Sequence, residues 1–300
     1  MKEMCEKNYW IHAVSPLHVG AGRGVGYIDL PIAREKVTNW PYIPGSAVKG
    51  VIADNYEATD KKREECPYKK AAFGLKSAGS EAVANAGSIV FSDAGIICLP
   101  IRSFYGTFAW ITSPLALFRI KRAANLEIPE VDNKAHICSD EVCVNKNENE
   151  NKIYLEDIDI DVVKNELASN WANFIAKRVF SGDEEWQNIF KERFTIIDDN
   201  VFTFLCETGT EVNARIRIRE DTKTTAEGAF WYEESLPVET ILAGIVWCDK
   251  VYNKKEDDRE IISPKQLMDT YCREELNLQL GGNASTGKGI VRCVFSGGEL

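Results

Sequence analysis

The residues best placed to do chemistry lie in an N-terminal loop that is rich in glycine. A strand-like run at 9–14 leads into the segment SPLHVGAGRGVG at 15–26, which contains His18 and Arg23, and Asp29 follows shortly after it. Glycines at alternate positions leave the backbone free to lie close against a ligand. A histidine, an arginine and an aspartate on such a loop indicate a polyanionic partner.

Asp29 and His18 could each have a structural role or a role in catalysis or binding. Asp29 could simply cap a turn. Because an aspartate with an ordinary pKa near ~4 is a poor general base at neutral pH, a catalytic Asp29 would instead hold a divalent metal or orient a ribose hydroxyl. His18 could be a structural histidine, a phosphate donor or a proton shuttle. Without a second histidine motif, a ribonuclease site built on two histidines has little support.

Three arginines alternate along a predicted strand, at Arg215, Arg217 and Arg219. A strand sends these guanidiniums to one face and the intervening isoleucines to the other. The stripe either contacts phosphate, which suits arginine, or forms the charged face of an edge strand. A polar segment at 221–228 and consecutive aromatics at 230–232 follow. These aromatics could stack on bases or belong to the core.

The chain closes with GGNASTGKG at 281–289, which almost matches a phosphate-binding P-loop. That motif requires Ser or Thr where Gly289 stands. Only eleven residues follow Gly289, too few for the helix and sheet of a nucleotide hydrolase. We therefore expect no ATP hydrolysis and no nucleotide cofactor, although the loop amides and Lys288 could hold a phosphate of a polymer.

Ser46 is predicted to be the N-cap of a helix that extends to about residue 56. Lys49 lies in the first turn of this helix, where a positive charge opposes the helix dipole. A bound anion at that terminus would explain the lysine, and a solvated side chain is the alternative.

Bulk composition is that of an ordinary globular protein, with 300 residues, 44% hydrophobic and 27% charged. The net charge is −10, but the acidic residues are unevenly distributed. Residues 127–166 contain twelve acidic residues and only four lysines. A local basic groove on an acidic body is therefore compatible with nucleic-acid binding. We find no signal peptide and no apolar run of about 20 residues, which predicts a cytoplasmic protein without membrane contact.

The nine cysteines form no C-x-x-C pair, which predicts buried reduced thiols. Cys138, Cys143 and His136 are the only cluster. Because zinc usually takes four ligands at tighter spacing, we do not expect a zinc site there.

Helices and strands are mixed without strict alternation. Helices are predicted at 46–56, 115–125, 164–180, 184–194 and 264–276. Strands are predicted at 9–14, 88–101, 106–112, 201–206, 212–218, 230–233, 237–248 and 290–295. A polar surface loop is expected at 139–151. The pattern favours an α+β fold with an antiparallel, ferredoxin-like sheet over a doubly wound parallel sheet.

Eight ordered motifs together resemble a known family. They are SPLHVGAG at 15–22, GYIDLPI at 26–32, PYIPGSAVKG at 41–50, FSDAG at 91–95, PIRS at 100–103, GTFAWITSPL at 106–115, EGAFWYEE at 227–234 and GGNASTGKG at 281–289. They resemble the RAMP-superfamily backbone subunits of type III-B (Cmr) CRISPR effector complexes. The match runs from residue 9 to 293 and is weak between about 127 and 200.

The resemblance implies one RAMP domain over 1–300 with a modified ferredoxin-like (RRM-type) palm. It also implies an inserted helical region at 127–200 and a protruding β-hairpin thumb at 207–232. In the family, copies stack head to tail on a guide CRISPR RNA beside other Cmr subunits, and target RNA is cut at regular intervals. Mg²⁺ or another divalent metal supports this cleavage.

The resemblance also assigns site residues. Asp29 matches the catalytic, metal-holding acid, and His18, Glu227 and Tyr232 accompany it. Lys49 matches a contact to the guide backbone. The RNA-binding residues that we expect are Lys49, Arg23, Ser46, Arg102, Arg215, Arg217, Arg219 and Lys288.

Three alternatives remain open at this point. The chain could be a structural guide-binding subunit with a silent site, or a stand-alone endoribonuclease of the same superfamily that processes guide precursors. It could also be a nucleotide-binding switch that uses the loop at 282–288.

Overall fold

The computed structural model describes residues 5–22, 24, 26–58, 66–75, 85–123, 135–139, 151–219, 221, 225–252, 262–273 and 275–297. Its helices are α1 (Gly45–Ala58), α2 (Pro67–Phe73), α3 (Pro114–Ala123), α4 (Glu166–Val179), α5 (Glu184–Arg193), α6 (Asp199–Thr208) and α7 (Pro264–Tyr271). Its strands are β1 (Cys5–Ala13), β2 (Tyr42–Ile43), β3 (Gly74–Leu75), β4 (Asn85–Ala86), β5 (Val90–Phe91), β6 (Ala94–Arg102), β7 (Phe108–Thr112), β8 (Ala135–Ile137), β9 (Lys152–Leu155), β10 (Ile158–Lys164), β11 (Phe194–Ile196), β12 (Glu211–Ile218), β13 (Thr225–Ser235), β14 (Ile241–Cys248), β15 (Glu275–Gln279) and β16 (Ile290–Gly297).

Most strands join one large sheet in the order β15-β16-β1-β14-β6-β7-β11-β8-β10-β9. β1 is antiparallel to both β14 and β16, with Tyr9 opposite Gly244 and Trp10 opposite Val294. β14 is in turn antiparallel to β6. A bridge between Ser103 and Leu155 brings the end of β9 back to the end of β6. The fold is therefore a mixed α and β fold with a large, mainly antiparallel sheet.

Both faces of β1 are covered. Side chains alternate between the two faces of a strand, so neighbouring residues of β1 enter different cores. Tyr9 and Ile11 face the core that contains α1 and α7, and Trp10 faces a second core formed with α4. Trp171 of α4 is fully buried there. Burying one such large side chain contributes about 2–3 kcal/mol, so the N-terminal strand is held firmly between two layers of helices.

The start of α1 differs from the prediction. The helix begins at Gly45, so Ser46 is an exposed first-turn residue and not the N-cap. The Gly45 amide donates to Asp93 Oδ1 at 2.8 Å. A carboxylate from a distant segment therefore supplies the negative charge that the helix N-terminus favours.

Two predicted strands were wrong in detail. The run at 201–206 is helical and belongs to α6, whose N-cap Asp198 accepts from the Asn200 amide. A short apolar run does not distinguish a strand from a buried helix. The predicted strand at 88–101 is interrupted because the Ser92 hydroxyl accepts from the Ile245 amide at 2.9 Å, which separates β5 from β6.

The C-terminal helix is shorter than predicted. α7 ends at Tyr271, and residues 275–279 form β15 beside β16. Its start has a capping box, in which Ser263 and Gln266 bind each other's backbone amides. None of the helices in the described ranges is long and apolar enough to cross a bilayer.

β12 and β13 form a separate two-stranded antiparallel hairpin. Residues 207 and 208, placed in the thumb by the family resemblance, are the last two residues of α6. Ile216 and Ile218 are exposed, as are Arg217 and Arg219. The hairpin therefore projects from the body with both faces open to solvent at its outer part.

Candidate functional site

The N-terminal loop folds back on itself beyond β1. The Leu17 and Leu236 amides and carbonyls pair at 2.9 Å in both directions. The Ala33 amide donates to the Val19 carbonyl at 2.8 Å, and Gly20 pairs with Ile32. These bonds fix the stem of the loop. Arg23, expected to contact RNA, lies outside the described residues.

Asp29 contacts the base of the hairpin. Its Oδ2 accepts a hydrogen bond from the Tyr232 amide at 2.8 Å, and the carboxyl group is exposed. The Leu30 amide donates to the Tyr232 carbonyl at 3.1 Å. The Tyr27 ring, 74% exposed, lies 6.3 Å from the Tyr232 ring. Two motifs about 200 residues apart in sequence thus meet at one place.

Glu227 lies on the same strand as Tyr232, in β13. Its side chain is outside the described residues, so its expected role next to Asp29 stays a prediction.

His18 is buried beside the same strand. Its Nδ1 lies 2.6 Å from the Glu234 carbonyl oxygen, and because a carbonyl only accepts, Nδ1 carries the proton. Nε2 faces Gly20, where an added Cβ would lie 3.1 Å away. The geometry gives His18 a structural role in joining the loop to the hairpin base.

The closing glycine loop packs against the N-terminal loop. The Gly282 amide donates to the His18 carbonyl at 2.9 Å, and the Gly289 amide donates to the Pro16 carbonyl at 2.9 Å. Gly281 has a φ of 78°, and a Cβ there would overlap the His18 carbonyl oxygen. Strand β16 follows the loop. This differs from a P-loop, in which a helix follows the phosphate-binding turn.

Lys288 does not face solvent as a phosphate-binding lysine would. It is buried, and its Nζ contacts Glu233 Oε1 closely and lies 2.7 Å from Ser235 Oγ. Glu233 is also buried, and its Oε2 lies 3.7 Å from Arg215 Nε. This arrangement does not support the expected phosphate contact, because the ammonium charge is balanced inside the protein.

Glu233, Glu234 and Arg34 were not among the residues predicted for the site. The Glu234 carboxylate is buried and accepts from Arg34 Nη2 at 2.6 Å, the Ile32 amide at 3.0 Å and the Thr210 hydroxyl at 2.9 Å. The sequence feature that could have indicated the two glutamates is a pair of acidic residues directly after three aromatic residues on a strand. Neighbouring strand residues point to opposite faces, and both faces are covered only at the hairpin base.

Arg215 and Arg217 lie on β12, and Arg219 directly follows its end. Arg215 is opposite Trp231 and near Glu233, whereas Arg217 and Arg219 are exposed further out. The two outer arginines are thus exposed on the outer part of the hairpin.

The remaining expected RNA contacts are distributed over the body. Lys49 is half-buried, and its Nζ donates to the Ile89 carbonyl at 2.7 Å. Ser46 is exposed one turn earlier. Arg102 is exposed at the end of β6. Asp93 already occupies the α1 N-terminus, so no bound anion is required to explain Lys49.

The structure gives no support for a metal cluster at the cysteines. His136 is buried in β8, and Cys143 lies outside the described residues. Across the described part of the chain, no three His, Cys, Asp or Glu side chains are grouped to hold a metal.

Comparison with known proteins identifies the class of this fold and site. The RAMP superfamily model matches residues 10–292, so the chain belongs to the RAMP superfamily. Within it, the chain is 34% identical over 293 residues to the CRISPR system Cmr endoribonuclease Cmr4 of Pyrococcus furiosus, covering 95% of this chain and 94% of that protein. It is 24% identical to the CMR subunit Cmr4 of Saccharolobus solfataricus, with 95% and 94% of the two chains covered.

Solved structures agree with this relationship. The crystal structure of oligomeric Cmr4 from Pyrococcus furiosus aligns with a TM-score of 0.69 at 26% identity, covering 98% of this chain and 99% of that one. A chain from the type III-B Cmr-beta complex bound to cognate target RNA aligns with a TM-score of 0.72 at 19% identity, covering 97% and 96%. At that identity the second match supports the fold alone.

Proposed function

We propose that this chain is a guide-RNA-binding backbone subunit of a type III-B CRISPR effector complex and cleaves target RNA at regular intervals. The observation that carries the proposal is the exposed Asp29 carboxylate, anchored to the hairpin base through the Tyr232 amide. The 34% identity to a Cmr endoribonuclease over almost the whole chain supports the same activity.

The palm of this subunit is ferredoxin-like in our interpretation. The support is the chain order β1-α1-β6-β14-α7-β16, combined with the neighbour order β16-β1-β14-β6. That is the βαββαβ pattern with an antiparallel sheet. The segments between β6 and β14, including the hairpin that we take as the thumb, are then insertions into this unit.

The RNA path differs from that of a typical RRM, whose open sheet face stacks bases. Here α4 covers the second sheet face with Trp171 and Phe174. Guide RNA is therefore bound by loops at the edge of the sheet, with Arg217 and Arg219 of the hairpin contacting phosphates. Sequence is read by base pairing with the guide, so the protein needs backbone contacts but no base code.

Cleavage by a neighbouring 2′-hydroxyl requires that oxygen, the phosphorus and the leaving oxygen in line, which regular A-form duplex does not allow. A projecting hairpin that displaces one nucleotide from the stack makes this geometry accessible, at a cost of a few kcal/mol. Asp29 then acts by position, since it is fixed to the hairpin base and faces solvent. His18 and Glu234 hold the loop and the hairpin in register.

A divalent metal fits a single exposed carboxylate. Mg²⁺ is usually bound by one or two carboxylates together with water and substrate phosphates. Asp29 would hold the ion, which when bound would stabilise developing charge on the phosphate. The residues of the chain then contribute binding and orientation.

The assembly partners follow from the same proposal. They are guide CRISPR RNA, target RNA, further copies of the chain arranged head to tail and other Cmr subunits, in the cytoplasm. The crystal structure of an oligomeric Cmr4, 26% identical to this chain, supports the contact between copies.

The test is target cleavage by the assembled complex with matched RNA and Mg²⁺. Asp29→Asn keeps an oxygen acceptor for the Tyr232 amide but removes the charge, so we expect normal target binding and loss of the cleavage ladder. Asp249→Asn, at an exposed aspartate beyond the far end of β14, is the matched control and should cut normally. Equal ladders from wild type and Asp29→Asn would rule out the catalytic role assigned to Asp29. Cleavage of guide precursor by the isolated chain would instead favour a processing nuclease.

A further inference from the structure

Three aromatic rings form a cluster between the turn that joins β6 to β7 and strand β9. The Phe104 ring centroid lies 5.1 Å from that of Tyr105 and 6.4 Å from that of Tyr154, and the two tyrosine centroids are 6.2 Å apart. Phe104 is 81% exposed. We call these three residues the aromatic platform. Single exposed apolar side chains are common, whereas a cluster with its most apolar ring in solvent indicates a binding surface.

The platform is held in place by its own backbone. The Phe104 amide donates to the Tyr154 carbonyl at 3.1 Å, which joins the turn to β9. Thr107 has a φ of 73°, a conformation that a β-branched residue rarely adopts. Such strain persists only where the surrounding structure fixes it. Arg193 Nε donates to the Gly106 carbonyl at 3.3 Å and adds to this support. The backbone of the turn that carries Phe104 and Tyr105 is thus fixed by its surroundings.

The platform lies at the same end of the sheet as the candidate site. β1 and β6 are both antiparallel to β14, so they run in the same direction and end at the same edge. β1 leads to the loop of Asp29, and β6 leads to Phe104. One strand, β14, lies between β1 and β6, so these two strands are about 10 Å apart across the sheet. The start of the hairpin also lies close to the end of β6. A Cβ added to Gly209, two residues before β12, would overlap Ile101 Cδ1.

The chemistry of the platform matches a nucleobase. Every base has a π face that stacks on aromatic rings, whatever its sequence. Arg102 is exposed two residues before Phe104, and its guanidinium suits a phosphate. Glu156, whose amide binds the Arg102 carbonyl at 2.9 Å, places an acid nearby. Stacking, rather than net charge, is therefore the main source of affinity. Three rings are small for a protein interface, which buries about 800 Å² per partner.

We propose that the aromatic platform stacks one unpaired base of an RNA strand that crosses this end of the sheet, with Arg102 contacting the adjoining phosphate. This inference rests on the proposed function and adds a base-stacking subsite to it.

The test measures binding of the full-length chain to a single-stranded RNA of about ten nucleotides that contains one 2-aminopurine. Phe104→Ala should weaken binding roughly 5- to 150-fold and reduce the quenching that reports stacking. Phe104→Leu keeps an apolar side chain without a π face and should lose nearly as much. Phe204→Ala removes an exposed phenylalanine from α6, 52% exposed, and should bind as wild type does. Arg102→Ala should lower the salt slope by about 0.7, and Phe104→Ala should leave it unchanged.

Wild-type affinity and quenching in Phe104→Leu would overturn the stacking proposal. A Phe104→Ala variant that binds RNA normally but no longer self-associates would also overturn it and assign the platform to a protein contact. If the wild type binds no RNA, both this inference and the proposed function fail. If the wild type binds RNA while Asp29→Asn still cleaves target, the catalytic proposal fails and the platform stands or falls on its own variants.

Discussion

Glu234 and Arg34 form a buried ion pair in which Arg34 Nη2 lies 2.6 Å from Glu234 Oε1. The same carboxylate accepts from the Ile32 amide and the Thr210 hydroxyl, and the Glu234 carbonyl accepts from His18. One residue at the hairpin base therefore fixes both the stem of the N-terminal loop and the chain entering β12. Asp29 lies in the N-terminal loop and contacts Tyr232 at the hairpin base, so both of these anchors help to position it.

Glu234→Ala should lower the free energy of unfolding by about 3–5 kcal/mol, because it leaves the Arg34 charge largely buried without its partner. Urea unfolding followed by tryptophan fluorescence measures the loss. Glu35→Ala is the matched control, since it breaks the half-exposed pair of Glu35 with Arg119 at 2.8 Å. That change should cost less than about 1 kcal/mol. Equal losses in the two variants would contradict a structural role for the buried pair.

Gly281→Ala should destabilise the protein more than Gly182→Ala does. Both glycines have a φ of 78°, so each substitution carries a backbone strain of about 1–2 kcal/mol. Only at Gly281 would the new Cβ also overlap the His18 carbonyl oxygen, whereas at Gly182 nothing lies within 4 Å. Thermal unfolding of both variants gives the comparison. Equal shifts in Tm would mean that the two glycine-rich loops do not pack tightly on each other.

Lys288→Met should change the stability of the protein, whereas Arg217→Ala should change the salt slope of RNA binding. Lys288→Met leaves the Glu233 carboxylate buried without its closest cation, so stability should fall by about 3–5 kcal/mol. The salt slope of RNA binding by the folded variant should be unchanged. Arg217→Ala, on the projecting hairpin, should keep its stability and reduce the slope by about 0.7. A stable Lys288→Met variant with a reduced slope would restore the phosphate-binding role of Lys288.

Glu211→Gln should stabilise the protein at neutral pH. Partial burial raises the pKa of Glu211 from 4.5, so the folded state holds its proton more tightly than the unfolded state. The stabilisation from this group is present below pH 4.5 and is lost as pH rises through the folded pKa. Replacing the carboxyl with an amide removes that loss, which urea unfolding at several pH values would detect.

Glu275→Gln should act in the opposite direction. A hydrogen bond from Arg292 lowers the pKa of Glu275, so its stabilisation is present above pH 4.5 and is lost as pH falls through the folded pKa. The variant should be slightly less stable at neutral pH. The same sign of change in both glutamine variants would show that general charge, and not these local environments, sets the pH dependence.

Several elements could be predicted from sequence because their causes are local. The amphipathic period at 164–180 indicated α4, since burial of one face imposes that period, and the alternation of arginine and isoleucine indicated β12. The mostly apolar run at 201–206 gave the wrong element, because so short a run fits a strand or a helix, and packing against the large sheet decided for α6.

The sequence by itself determined the composition of the two glycine-rich loops, the arginine stripe and the motifs that relate this chain to its superfamily. Only the tertiary structure decided that Lys288 faces Glu233 and that Asp93 caps α1. It also decided that Asp29 meets the Tyr232 amide across 203 positions of sequence. Periodicity reports which face of an element is buried. Partners far apart in the chain are selected by the folding of the sheet as a whole.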